Sequence, residues 1–81
     1  GYAVTLEAAS AEELAPLLMR AWGLTSRERE VARLVIDGRS SEDIAAELFI
    51  SVHTVRDHVK VIFGKVGVSR RQDLTAALTG R

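Results

Sequence analysis

Residues 41–66 read SEDIAAELFISVHTVRDHVKVIFGKV. This stretch predicts two short amphipathic helices joined by a tight turn, because Ser40 and Ser51 each precede apolar residues at helical spacing, as N-capping residues do. The small side chain of Ala45 stands where the two helices would cross. In the second helix, five apolar residues recur at three- and four-residue steps and share one face: Val52, Val55, Val59, Ile62 and Val66. The pattern is that of a helix-turn-helix.

The opposite face of the second helix is polar and carries basic side chains. Four residues recur there at the same steps: His53, Arg56, Asp57 and Lys60. Because the valine face is required for a core, the polar face is the one available to a partner. A helix that presents Arg and Lys in this way fits the major groove of double-stranded DNA. The alternative is a solvated polar face, which is the more common state of a charged helix.

The composition of the whole chain limits the classes of function. Its 81 residues are the size of one small domain. The absence of cysteine removes disulfides and thiolate metal sites, and fits a reducing cytoplasm. No apolar run approaches the ~18 residues of a membrane span. We expect no enzyme, cofactor or metal, since the sequence lacks a glycine-rich phosphate loop, metal-ligand spacing and a nucleophile beside a base.

The charges are distributed unevenly along the chain although the net charge is zero. Residues 1–50 contain five basic and nine acidic residues, a net charge of −4, and residues 51–81 contain six basic and two acidic residues, a net charge of +4. One end of such a molecule can bind a polyanion. Binding should be weaker than for a strongly basic domain, since fewer phosphates are neutralised.

Capping signals predict helices on both sides of the helix-turn-helix. Thr25-x-x-Glu28 opens one helix, and Ser69-x-x-Gln72 opens the last, in which Leu74, Ala77 and Leu78 are the apolar residues. Four helices between about residues 25 and 79, with short connections, predict an all-α four-helix bundle.

The segment before residue 24 is interpreted as an extension, with residues 24–81 as the binding domain. Within residues 2–9, Val4 and Leu6 alternate with Thr5 and Glu7, which fits either a disordered start or the last strand of an upstream domain. Ser10 and Glu13 form a capping box for a linker helix. Pro16 predicts that this helix starts near Ala15 or kinks there.

The run LTSREREVARLVIDGRSSEDIAAELFISVHTVRDHVKVIFGKVGVSRRQDL, which starts at Leu24, resembles the LuxR/GerE-type helix-turn-helix domain of bacterial transcription regulators. Its signature pieces are LTSREREV, the turn at GRSSEDIAAEL, SVHTVRDHVKVIFGKVGV and Arg71. The resemblance implies a four-helix DNA-binding domain that serves as the C-terminal output module of a larger regulator. It also implies a homodimer on two DNA half-sites, with RNA polymerase as a further candidate partner. One departure is Phe49, where many such turns have glycine; we expect its ring to pack against the bundle.

The resemblance assigns base contacts to Arg56, Asp57 and Lys60. The two cations can donate to guanine O6 and N7 or to phosphate. Asp57 is a departure, because a carboxylate near DNA is costly unless it accepts a hydrogen bond. It either accepts from cytosine N4 or pairs with Arg56 or Lys60 and orients them, and both alternatives stay open.

Two further sets of residues are candidates for contacts with phosphate and with a second copy of the chain. The first set fits the DNA backbone, because it combines hydroxyls and a histidine near a helix N-terminus with an ammonium at its far end: Ser51, Thr54, His53 and Lys65. For Ser51 the alternative is capping alone. The second set, Leu74, Ala77 and Leu78, could serve both the core and a symmetric partner.

Three remaining residues are interpreted as structural. We expect His58 to be packed or bonded to backbone, and Arg71 to pair with Glu28 or Glu30. Trp22 is expected to lie either in the core or in a buried contact between domains. A protein-interaction module is the main rival function, because a helix-turn-helix fold alone does not fix what it binds.

Overall fold

The protein is all-α in the computed structural model, which describes the backbone of residues 11–79 and the side chains of residues 14–79. Five helices occur in this range: α1 (Ala11–Ala21), α2 (Ser26–Ile36), α3 (Ser41–Leu48), α4 (Val52–Val66) and α5 (Arg71–Thr79). Helices α2–α5 confirm the predicted four-helix bundle, and α1 confirms the preceding helix. The predictions for residues 2–9 and for the Ser10 cap lie outside the described residues.

A single apolar core holds the helices together. Six side chains in it are fully buried: Val31, Ile44, Val55, Ile62, Leu74 and Leu78. Helix α4 packs against α2 and α3, while α5 packs against α1 and α2. Val52, Val59 and Val66 are half-buried against the same core, which confirms the predicted apolar face of α4. That face fixes which side of α4 remains outside.

Side-chain caps begin three of the helices, as the sequence predicts. Thr25 and Glu28 form the reciprocal capping box of α2, with the Glu28 N–H donating to Thr25 Oγ1 over 3.2 Å and the Thr25 N–H donating to Glu28 Oε1 over 2.9 Å. Ser40 accepts from the Asp43 N–H, and Ser51 accepts from the Thr54 N–H. These bonds satisfy backbone donors that a helix N-terminus leaves without a carbonyl partner.

Two predicted helix starts differ from the structure. Helix α1 begins at Ala11 and contains Pro16 in its interior, so the start near Ala15 was wrong. A proline inside a helix removes one backbone hydrogen bond. The helix nevertheless continues through Pro16, and its Ala15 and Met19 side chains are buried in the core. Helix α5 begins at Arg71, two residues after the predicted cap Ser69.

The turn between α3 and α4 places Phe49 differently from the prediction. Phe49 ends α3 in the left-handed conformation, with φ 57° and ψ 43°, and its N–H donates to the Ala45 carbonyl. Its side chain is 94% exposed, so the ring does not pack against the bundle. Because the left-handed residue reverses the chain, the next residue, Ile50, packs half-buried against the core instead.

Helix α5 offers less surface to a partner than the sequence suggested. Leu74 and Leu78 are fully buried, because α5 packs against α1 and α2 with this side. These two leucines serve the core, and their contact with a symmetric partner stays a prediction. Ala77 is half-buried.

Candidate nucleic-acid interface

The polar face of α4 is a continuous exposed strip, which we call the α4 strip. It consists of the four residues predicted from helical spacing, all of them exposed: His53, Arg56, Asp57 and Lys60. Ile62, which is fully buried, lies about 180° around the helix from His53, at about 100° per residue. The structure thus brings together all three predicted base-contacting residues, with the core directly behind them.

The start of α4 holds three of the predicted phosphate-contacting residues, Ser51, His53 and Thr54. The Thr54 N–H donates to Ser51 Oγ over 3.0 Å, and the two hydroxyl oxygens lie 2.8 Å apart. The N–H groups of Val52 and His53 belong to the first turn, whose backbone donors have no carbonyl partner within the helix. An anion placed there would meet two backbone donors and the positive end of the helix dipole.

Three of the four residues in the α4 strip make a close contact with a charged or titratable side chain. His53 Nε2 lies 3.4 Å from Asp57 Oδ2, and Arg56 Nη2 lies 3.8 Å from Glu42 Oε1 on α3. Asp57 therefore faces His53 and not Arg56 or Lys60, the two partners considered from the sequence. Within residues 14–79, Lys60 takes part in no ion pair or hydrogen bond. Glu42 was missed, because its nearness to Arg56 depends on how α3 crosses α4.

Lys65 lies at the other end of α4 in an internal contact. Its Nζ donates to Glu28 Oε1 over 2.7 Å and to the Gly23 carbonyl over 3.1 Å. The Glu28 side chain is buried, and the hydrogen bond from Lys65 lowers the pKa of this carboxyl against the opposing effect of burial. We call this contact the Lys65–Glu28 clamp. It ties the end of α4 to the start of α2, a role that the sequence analysis did not assign to Lys65.

Arg71 joins helices, as expected, but through different partners. It donates to the Arg39 carbonyl over 2.9 Å and to Ser41 Oγ over 2.7 Å. The predicted ion pair with Glu28 or Glu30 was wrong, because Glu28 is bound to Lys65 and Glu30 pairs with Arg27 at 3.0 Å. Arg71 therefore fastens the start of α5 to the loop that precedes α3.

Comparison with known proteins identifies the domain type. A family model described as bacterial regulatory proteins, luxR family, matches residues 23–78. The chain belongs to the luxR family. This confirms the resemblance to a LuxR/GerE-type helix-turn-helix domain noted from the sequence, and the matched residues contain α3 and α4. The family is one of regulatory proteins and not of enzymes.

The luxR-family domain also resembles longer mycobacterial proteins. It is 46% identical over 56 residues to two proteins named as HTH-type transcriptional regulators, Mb0914c of Mycobacterium bovis and Rv0890c of Mycobacterium tuberculosis. The alignment covers 68% of this chain but 6% of each relative. The chain thus spans a small part of the length of these regulators. No solved structure matches it.

The structure also gives the positions of the two residues outside the α4 strip that were interpreted from the sequence as packed. His58 is half-buried beside the apolar face of α4, and Trp22 is half-buried against the core. No group of three or more His, Asp or Glu side chains suited to a metal occurs among the described residues. None of the five helices is long and apolar enough to cross a membrane.

Proposed function

We propose that this luxR-family domain binds double-stranded DNA in a sequence-specific manner, with α4 in the major groove. The observation that supports this proposal is the α4 strip, whose Arg56 and Lys60 are exposed while Val55 and Ile62, on another side of the same helix, are fully buried. A helix anchored by one face can enter a groove only with the other. Its mycobacterial relatives are named as HTH-type transcriptional regulators. The domain would act as the C-terminal output module of such a regulator in the bacterial cytoplasm.

Arg56, Asp57 and Lys60 are proposed to contact bases. Lys60 has no partner within residues 14–79, so its ammonium is available to guanine O6 or N7. Asp57 is near His53, which leaves its second oxygen available to cytosine N4. The guanidinium of Arg56 has five donors, more than its single contact with Glu42 uses.

The phosphate contacts are proposed at the two ends of α4. At its start, Ser51, His53 and Thr54 surround the free N–H groups of the first turn, where a phosphate is favoured. At its end, Lys65 uses two of its three ammonium protons in the Lys65–Glu28 clamp, and the third proton is the one that could reach a phosphate.

The experiment that tests base recognition is a randomised-site selection with the parent domain, followed by affinity measurements. Lys60→Ala and Arg56→Ala should each cost about 1–3 kcal/mol on the selected operator and less on shuffled DNA, because a base contact is lost only where the correct base is present. Arg27→Ala, an exposed arginine on α2, is the control and should change neither affinity.

Asp57→Ala separates the two roles of Asp57 in the same selection. If Asp57 accepts from cytosine, its removal relaxes preference at one base pair. If it only restrains its neighbours, its removal raises affinity for all sequences. Identical base preferences for the parent and all three α4 strip variants would contradict the placement of α4 in the groove. Affinity without a steep salt dependence would favour a protein-interaction module instead.

A further inference from the structure

Glu42 is the acidic residue closest to the proposed base-contacting cations from outside their own helix. It lies in the first turn of α3, and its Oε1 is 3.8 Å from Arg56 Nη2. An acidic residue in a first turn is favoured by the helix dipole alone. That local reason does not require Glu42, however, because Asp43 stands in the same turn and already supplies a negative charge. The helix dipole therefore does not explain why Glu42 lies beside Arg56.

The charges around the α4 strip cancel. Arg56 and Lys60 supply two positive charges, and Glu42 and Asp57 supply two negative ones. A protein that binds DNA through phosphate charge alone needs a net positive surface, since its affinity comes from the release of counterions. This surface has none at its centre. Its affinity must depend more heavily on contacts that only the correct bases provide.

We propose that Glu42 is a specificity-determining residue that restricts Arg56 to base contacts. The guanidinium can keep one side toward Glu42 while its other donors reach the two acceptors of a guanine edge. If Arg56 instead turned to a phosphate, Glu42 would face the DNA without its cation. The carboxylate therefore penalises binding modes in which Arg56 is used as a simple charge. This inference rests on the proposed function of the α4 strip.

The test replaces the carboxylate of Glu42 by a neutral amide of nearly the same shape. Glu42→Gln and the parent are titrated against the selected operator and a shuffled duplex of equal length, at several KCl concentrations. The matched control is Glu47→Gln, on the same helix, because Glu47 also pairs with an arginine, Arg39, at 3.4 Å, away from the α4 strip. Thermal unfolding of each variant checks that all remain folded, as expected for exposed side chains.

We expect Glu42→Gln to strengthen binding to the shuffled duplex about 3- to 10-fold at low salt and to strengthen operator binding much less. The ratio of the two affinities should fall at least about 3-fold, while Glu47→Gln should leave it within about 2-fold of the parent. An equal gain on both duplexes, or no change on either, would overturn the role of Glu42. A parent domain that did not prefer the operator would overturn the proposed function itself, and so the two failures are distinguishable.

Discussion

At the scale of single residues, the buried Glu28 carboxylate depends on Lys65. Lys65 is one of two hydrogen-bond donors to the same oxygen, Glu28 Oε1, and the other is the Thr25 N–H. Removing one partner of a buried ion pair is costly, since it leaves the other charge without compensation. This pair is partly open to solvent on the lysine side, which moderates the cost.

Lys65→Ala should therefore lower the free energy of unfolding by about 1–3 kcal/mol. Lys60→Ala, which removes an exposed lysine from the same helix, should change it by less than about 0.5 kcal/mol. Chemical denaturation measures both. DNA titrations below the melting range then test the predicted phosphate contact, because loss of a phosphate contact should lower the salt slope by about one unit. An unchanged slope would limit Lys65 to its structural role.

The lowered pKa of Glu28 predicts how stability depends on pH. A carboxyl whose pKa is lower in the folded than in the unfolded state contributes stability that is fully present above the unfolded value, here near 4.5. That contribution is lost as the pH falls through the folded value. The stability difference between the parent and Glu28→Gln should thus shrink between neutral and acidic pH. Glu30→Gln, at an exposed ion pair, is the control and should show a smaller change; equal pH dependence for both variants would contradict the assignment.

At the scale of helices and turns, substitutions at two residues in the left-handed conformation should have opposite effects on stability. Phe49 ends α3 at φ 57°, and Gly67 ends α4 at φ 83°. A residue with a Cβ is strained in this conformation by about 1–2 kcal/mol, whereas glycine is not. Phe49 also gains little from burial, since its ring is almost fully exposed.

Phe49→Gly should therefore raise the free energy of unfolding by about 0.5–1 kcal/mol, after allowing for the greater freedom of glycine in the unfolded chain. Gly67→Ala should lower it by about 1 kcal/mol, although nothing near Gly67 would touch the added Cβ. Thermal melts of the two variants measure both effects. A loss of stability in Phe49→Gly would mean that the exposed ring has a contact which outweighs the strain.

Local patterns were enough to predict most helices and the composition of the α4 strip. The caps at Thr25, Ser40 and Ser51 depend on residues three apart, and the valine face depends on helical periodicity, so both can be found in a linear sequence. The α4 strip followed because its residues share one helix. These features needed no knowledge of how the helices pack.

Contacts between distant residues could not be predicted in the same way. Lys65 and Glu28 are 37 positions apart, and Arg71 and Ser41 are 30 apart. Several acidic residues were equally eligible partners in the sequence, and the packing of the helices selects among them. The outward ring of Phe49 and the nearness of Glu42 to Arg56 depend likewise on the angle at which α3 meets α4.

At the scale of the whole molecule, the packing of α5 against α1 and α2 affects how two copies could meet. With Leu74 and Leu78 buried, Ala77 is the residue of the predicted dimer set that stays half-buried and thus partly open to a symmetric contact. We expect the free domain to be a monomer and to form a two-fold dimer on DNA, with recognition helices about 34 Å apart. Analytical ultracentrifugation should then give two protomers per palindromic operator and one per half-site. One protomer per palindrome at saturation would contradict this expectation.

The length of helix α4 makes the position of its far end sensitive to a small tilt. It has 15 residues and is thus about 22 Å long, at 1.5 Å per residue. The Lys65–Glu28 clamp lies at one end of it, and the residues of the α4 strip, which are proposed to contact bases, lie nearer the other end. A tilt of about 3° at the clamped end would displace the far end by about 1 Å over that length, more than the ~0.5 Å tolerance of a positioned contact. The orientation of the side chains proposed to contact bases would therefore depend in part on Glu28, a carboxylate that is buried at the clamped end of the helix.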